Sequence, residues 1–394
     1  MKYCGMCLYP EVAVNLDITD NVCSACRTAI EFNKMSEEFW LKRKSAFEKI
    51  LSEKKSNSEN DYDCIIPVSG GKDSYFQTHK IVTDYGLKPL LVTYHGNNYL
   101  PEGDYNRDRM RHVFDADHLV FGPSVEVLKK LNLLGFEKMG DMNWHAHCGI
   151  FTYPIQIAVK FKIPLIIWGE IAWDIAGMHD PEDYVEFSAK TRHEHGLRGF
   201  EWNSFLGNEN LGLTEKDLKW AQYPSDREIL EAGVQGLYIG NFFKWDANAH
   251  TSLMQELYGW KPAEIPFQRT YRKISNLDDR YENGAHDLLK FVKFGYGRAT
   301  DHASKDIRAG LISREEGIEL VKKYDHVISD DLNYWLNYVG MGNEQFWKKA
   351  DTFRDPRIWW IEGNDWVKEN IWGGSSAYGQ VYLSQESREK YLRT

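Results

Sequence analysis

The chain has 394 residues, 42% of them hydrophobic and 27% charged, with a formal net charge of −10. That length is more than one hydrophobic core usually serves, and the composition excludes a disordered chain. The acidic balance argues against tRNA or DNA as substrate, because phosphate contacts call for a basic face. No run of about 18 apolar residues occurs, so no membrane-crossing helix is expected. The start Met1–Lys2–Tyr3–Cys4 lacks the apolar stretch of a signal peptide. The expected compartment is the cytoplasm, where six cysteines suggest metal binding or buried thiols before disulfides.

Residues 1–30 are expected to form a zinc-binding module. Cys4, Cys7, Cys23 and Cys26 give Cys-x2-Cys, fifteen residues, then Cys-x2-Cys. Each pair puts two thiolates on one turn, and two such turns complete a tetrahedral four-sulfur site. With all four positions filled by protein, the zinc is read as structural. Four unbound thiols or an iron centre are the alternatives. Residues 31–62 read as a helical linker, with Phe39, Trp40, Phe47, Ile50 and Leu51 near a 3.6 period and a polar run from Lys54 to Asn60.

From residue 63 strands and helices alternate. Strands are expected at Cys64–Val68, Pro89–Tyr94, Leu119–Phe121, Ile163–Trp168 and Leu237–Phe243. Helices are expected at Ser74–Tyr85, around 104–114, from about Ser124 to Leu134, over 148–161, and after Asp246. The pattern predicts an α/β fold with a parallel sheet covered on both faces, over residues 63–260. Residues of about 174–230 interrupt it and read as an insertion of lid or substrate-loop type. Residues 261–394 read as a mainly helical C-terminal region. Its aromatic tail from 355, with Trp359, Trp360, Trp366 and Trp372, is expected to pack on the body or on another subunit.

The strongest chemical signal is Ser69–Gly70–Gly71–Lys72–Asp73–Ser74, which joins an apolar strand to a helix. Glycines let the backbone approach an anion, and the helix N-terminus presents unpaired N–H groups and a positive dipole end. Ser69 and Ser74 add hydroxyls, Lys72 adds charge, and Asp73 can hold Mg²⁺. A bare Gly-Gly turn would be an ordinary connection, but this order of side chains makes a pyrophosphate cradle. The spacing is not that of the Gly-x4-Gly-Lys-Ser/Thr loop, which excludes a motor or GTPase reading.

Weaker candidates follow. Trp168, Gly169 and Glu170 end the fourth strand, where active-site residues of such sheets gather. For Glu170 a contact with Mg²⁺, nucleotide or substrate and an ordinary strand-end acid stand level. Asp174, His179 and Asp180 open the insertion. His145, His147 and Cys148 read either as a second metal or reactive centre or as a helix start with a buried thiol. Cys64 reads as core. In Lys290–Ser304, Gly295 and Gly297 make a turn. Lys293, Arg298 and His302 can bring charge to a leaving pyrophosphate or an acidic sugar, with Asp301 orienting Arg298.

The hexapeptide Ser69–Ser74 resembles the loop of the PP-loop ATP pyrophosphatases. That resemblance implies an adenine-nucleotide α-hydrolase-like parallel sheet and chemistry at the α-phosphate of ATP. The cysteine quartet, this loop, the opening MKYCGMCLYP and the downstream FGYGRATDHASKDIR together resemble the N-acetyl sugar amidotransferase family of surface-polysaccharide and nonulosonic-acid pathways. The likeness implies conversion of an acetamido group to an acetamidino group through adenylation of the amide oxygen. It further implies ATP, Mg²⁺ and Zn²⁺ as cofactors. Lys72, Asp73, Glu170 and Arg298 are the expected catalytic residues, and Ser69–Ser74 with Lys293 the expected nucleotide contacts. Ammonia is expected from separate glutaminase and cyclase-like subunits, since Lys2 follows Met1 and no Cys-His-Glu glutaminase set is evident. The alternatives are a tRNA sulfur transferase and an ATP-sensing module without chemistry.

Overall fold

The computed structural model describes residues 1–13, 16–56, 61–96, 98–169, 193, 197–208 and 211–392. The chain opens with a short antiparallel pair, β1 (Ile18–Thr19) and β2 (Val22–Cys23), followed by helices α1 (Ser24–Lys34) and α2 (Glu37–Ser56). α2 does more than connect. Its Phe47 is fully buried and meets Phe242 and Phe243 at 5.1 and 5.5 Å between ring centroids.

The alternating segment supplies β3 (Cys64–Pro67), α3 (Lys72–His79), β4 (Pro89–Tyr94), α4 (Pro101–Val113), β5 (Asp117–Phe121), α5 (Val125–Met139), α6 (Trp144–Phe161) and β6 (Leu165–Trp168). α7 (Asp226–Glu231), β7 (Gln235–Tyr238) and α8 (Ala247–Tyr258) follow. The five strands form one parallel sheet in the order β5-β4-β3-β6-β7. The fold class expected from the sequence is therefore the one observed. Successive side chains of a strand point to opposite faces. Ile65 and Ile166 accordingly join a core with Phe151 and Ile155 of α6, while Ile66 and Ile167 join one with Tyr75 of α3 and Met254 of α8. The expected fifth strand is shorter than read, because the chain turns into a 3₁₀ segment at Ile239–Asn241. The described part of the insertion holds 3₁₀ turns at Trp202–Phe205 and Glu215–Ala221. Phe205, Leu218 and Trp220 of these turns pack with Trp144 of α6.

The C-terminal region has five helices among the described residues: α9 (Tyr281–Phe294), α10 (Arg298–Arg308), α11 (Arg314–Tyr324), α12 (Asp330–Val339) and α13 (Asn343–Ala350). Its tail differs from a helical reading. β8 (Trp359–Glu362), β9 (Asp365–Glu369) and β10 (Ser375–Gln380) form an antiparallel sheet in the order β10-β9-β8. Gly363 and Asn364 close the β8–β9 hairpin, with Gly363 at φ +62° supplying the left-handed turn. Trp359 and Trp366 are fully buried, and Trp359 meets Phe291 of α9 edge-on at 5.5 Å. The aromatic tail thus packs on the body of its own chain.

Candidate nucleotide and zinc sites

In the strand order β5-β4-β3-β6-β7 the direction of winding reverses beside β3, so a crevice opens at the carboxyl ends of β3 and β6. The Ser69–Ser74 loop stands there. Ser74 Oγ accepts from Ser69 N at 3.0 Å and Ser69 Oγ accepts from Gly71 N at 3.3 Å, so the two hydroxyls tie the turn to itself. Gly70 sits at φ +82°, and a Cβ there would lie 2.6 Å from the backbone nitrogen of Arg107. Only glycine fits both the dihedral and the approach of α4. Trp260 Nε1 donates to Gly70 O at 2.9 Å and pins the turn from the other side. α3 then begins at Lys72 with Gly71 as N-cap and no side-chain cap. Its first-turn N–H groups have no intrahelical partners, which is the arrangement that receives anions.

Lys72 Nζ pairs with Asp73 Oδ2 at 2.5 Å, and the other oxygen, Asp73 Oδ1, is buried with no partner among the described residues. An acceptor-only atom left without a donor suits a divalent cation, so Asp73 fits the expected Mg²⁺ ligand. β6 brings its end to the same place. A Cβ on Gly169 would lie 2.1 Å from Gln77 Oε1 and 3.6 Å from Asp73 O. Glu170, Asp174, His179 and Asp180 lie outside the described residues.

The four cysteines Cys4, Cys7, Cys23 and Cys26 are fully buried, and their sulfurs all lie within 4.8 Å of one another. Cys4 Sγ and Cys26 Sγ are 3.9 Å apart, Cys7 Sγ and Cys23 Sγ 3.6 Å. Four sulfurs each about 2.3 Å from one zinc ion would be about 3.8 Å apart, so the set fits tetrahedral zinc. Backbone N–H groups of Cys7 and Cys23 point at Cys4 Sγ, at 3.5 and 3.3 Å, as suits a thiolate. This module is docked on the C-terminal helices. Arg314 donates to the carbonyls of Cys7 and Cys4, Leu8 N donates to Ser304 Oγ, and Tyr9 OH donates to Asp301 Oδ1.

The Lys290–Ser304 segment forms the turn expected of Gly295 and Gly297 between α9 and α10, but its charges are partnered differently. Asp301 binds Lys290 and Tyr9 rather than orienting Arg298. Arg298 Nη2 donates to Asn276 Oδ1 at 2.9 Å and its Nε lies 3.6 Å from Asp287. His302 hydrogen-bonds Thr270 at 2.6 Å and is buried, which pushes its imidazole well below the usual range. Lys293 Nζ has a 3.4 Å contact with Met139 O, and burial, then Arg198 and Lys290, pushes its amine down to about 8. These partners are not loop residues. The structure therefore groups Lys290, Lys293, Arg298 and Asp301 where α9 meets α10. Lys290 and Arg298 keep 21% and 31% of their side chains exposed.

The His145–Cys148 group resolves toward the plain reading. His145 is buried between Tyr94 OH (3.0 Å) and Glu282 Oε2 (2.8 Å), and Asn132 also donates to Glu282. Cys148 is fully buried and burial pushes its thiol up to about 12; Cys64 is buried and shifted the same way. Neither is a ready thiolate. Among the described residues the only group with metal-site spacing is the N-terminal quartet. Sequence reading missed Arg107 and Trp260, which reach Gly70 from distant elements, and Tyr9, which reaches Asp301; nothing local marks them.

One segment matches a known family. Residues 270–371 match the LPS biosynthesis protein WbpG-like C-terminal domain. The WbpG-like segment spans α9 to β9 and includes Lys290, Lys293, Arg298 and Asp301. No curated protein matches the sequence. Among solved structures, NMN synthetase from Francisella tularensis is similar at 13% identity, over 58% of this chain and 98% of that one, with a TM-score of 0.27. A superposition that loose carries neither chemistry nor substrate across. Among the described residues no helix is long and apolar enough to cross a membrane.

Proposed function

We propose that this chain is an ATP-dependent amidotransferase that converts an acetamido group on a bacterial surface sugar into an acetamidino group. One observation carries the ATP reading. At the sheet's switch point a glycine wedged against α4 leads into a helix whose N-terminus has no side-chain cap, flanked by Lys72 and Asp73. The WbpG-like match at residues 270–371 supports a role in making surface polysaccharide.

In this reading the N–H groups of the loop and of the first turn of α3 hold the β- and γ-phosphates, and Lys72 leaves Asp73 to join them. Asp73 holds Mg²⁺, which when bound neutralises charge developing on the phosphates. The amide oxygen of the sugar attacks the α-phosphorus, and pyrophosphate leaves. Ammonia then adds to the activated carbon, AMP departs with the former amide oxygen, and a proton is lost. The cluster of Lys290, Lys293 and Arg298 is read as the sugar side of the site rather than the phosphate side, since its observed partners Asp301, Met139 and Asn276 are not loop residues. Glu170 keeps its proposed catalytic role from its position after Gly169. The zinc module is structural. Ammonia comes from separate glutaminase and cyclase-like subunits, and the setting is cytoplasmic. The buried, protonated Cys64 and Cys148 disfavour sulfur transfer.

The test is to incubate protein, ATP, Mg²⁺ and ammonium with acetamido sugars and measure pyrophosphate. Release that depends on the sugar, with a product in which NH replaces O by mass, supports the proposal. Release that depends on tRNA, or none with any sugar, sinks it.

A further inference from the structure

His250 stands in the first turn of α8, behind Asp246, whose carboxylate caps the helix by accepting from Asn248 N and Ala249 N. α8 packs along α3, and both helices start at the carboxyl edge of the sheet. The imidazole lies flat on Phe76, with centroids 3.4 Å apart and planes at 8°, and Trp245 meets it edge-on at 4.8 Å. These rings fix its orientation. It is 7% exposed, and its Nδ1 has no hydrogen-bond partner among the described residues. Lys72 and Asp73 lie within electrostatic range of it.

A buried imidazole nitrogen left without a partner is destabilising, so a fold that holds one in place by two aromatic contacts calls for a ligand there. The neighbouring Asp73 Oδ1 is orphaned in the same way. One atom is an acceptor only, and the other belongs to a ring that can donate without carrying charge. An anion whose cation rests on Asp73 satisfies both at once. The uncapped N-terminus of α3 marks where that anion sits.

We propose that His250 binds the pyrophosphate end of the nucleotide, donating its Nδ1–H to a β- or γ-phosphate oxygen. The proposal rests on the ATP reading of the loop and adds to it a residue from a helix well over a hundred positions downstream. It assigns the Nδ1–H tautomer to the occupied site. It also predicts that the contact distinguishes ATP and pyrophosphate from AMP, which lacks the phosphates concerned.

The experiment is calorimetric titration of the full chain with Mg²⁺–ATP, Mg²⁺–pyrophosphate and AMP, for the parent, His250→Ala and His250→Gln. A hydrogen bond to a charged group sets the scale, so His250→Ala should weaken ATP and pyrophosphate by about tenfold or more and leave AMP unchanged. His250→Gln should recover part of the loss. Equal affinities in the parent and His250→Ala, or an equal loss for AMP, overturn the proposal. Imidazole ¹⁵N spectra of the parent, assigned through the signal missing in His250→Gln, give a readout that does not depend on folding of the alanine variant. Added pyrophosphate should move the Nδ1 resonance, and an unmoved resonance counts against the contact. A parent that binds neither ATP nor pyrophosphate removes the ATP reading itself. A parent that binds both while His250→Ala binds them equally well removes only His250.

Discussion

Tyr9 and Asp301 stand 292 positions apart in sequence and share a hydrogen bond of 3.0 Å. The hydroxyl comes from the cysteine-bearing module and the carboxylate from α10, where Lys290 occupies its other oxygen. Burial raises the Asp301 carboxyl, but Lys290 and Arg298 outweigh it and hold the group below the usual range. The cysteine module is thereby tied to α10 of the WbpG-like segment. Tyr9→Phe removes a bond to a charged acceptor, worth about 1.5–3 kcal/mol. Thermal unfolding should show a Tm lower by a few degrees. An unchanged Tm would mean that the tie carries no energy.

Cysteine replacement should act more strongly. Cys23→Ser removes one of four converging sulfurs, all within 4.8 Å. Elemental analysis should find close to one zinc per chain in the parent and far less in the variant. The variant should also lose Tm by more than Tyr9→Phe does, because the module's backbone contacts with Arg314 and Ser304 depend on its shape.

Gly70→Ala tests the loop without touching a charge. The new methyl would lie 2.6 Å from Arg107 N at a φ of +82°. A side chain forced into that conformation costs about 1–3 kcal/mol, and the clash with α4 adds to it. The expected result is a drop in Tm together with loss of most ATP affinity, measured by titration. Retention of parental ATP affinity would show that the turn is not a phosphate cradle.

Asp73→Asn should separate chemistry from stability. The side chain is 41% exposed and pairs with Lys72, an ion pair worth little to folding at that exposure. Sugar-dependent pyrophosphate release should fall by at least about a hundredfold while Tm moves little. Parental turnover in this variant would remove Asp73 from the mechanism.

Acid should destabilise the fold partly through His118. Its Nε2 lies 2.8 Å from Thr93 Oγ1, which itself donates to Val68 O, so the ring nitrogen is the donor. Burial, then Arg107, pushes its imidazole down to about 4. The unfolded chain binds this proton below about 6.5 and the folded chain does not until about 4. The stability contributed by neutral His118 is therefore complete above about 6.5 and is lost as pH falls toward 4. Tm measured across that window should decline less steeply in His118→Gln than in the parent. Equal slopes would show that other groups account for the acid sensitivity.

Local pattern determined much of this protein. Apolar runs such as Cys64–Pro67 and Pro89–Tyr94, separated by helical periods, dictate a parallel sheet, and the observed strands follow them. The paired Cys-x2-Cys spacing put four sulfurs in one place, and the Gly-Gly turn before Lys72 marked a helix start fit for an anion. These features act over a few residues, so the sequence shows them directly. The β8–β9 hairpin was legible in principle from Gly363–Asn364, but the four tryptophans around it hide the strand alternation.

Tertiary structure alone decided which charges meet. Asp301 stands three residues from Arg298 and binds Lys290 and Tyr9 instead, because packing of the cysteine module on α10 brings Tyr9 to it. Trp260 and Arg107 reach Gly70 only because α4 and the segment after α8 converge on the end of β3. The partners of Lys293 and Arg298 likewise follow from how α9 and α10 pack. Sequence patterns report backbone preference and burial, whereas electrostatic partners depend on distances set by the whole chain.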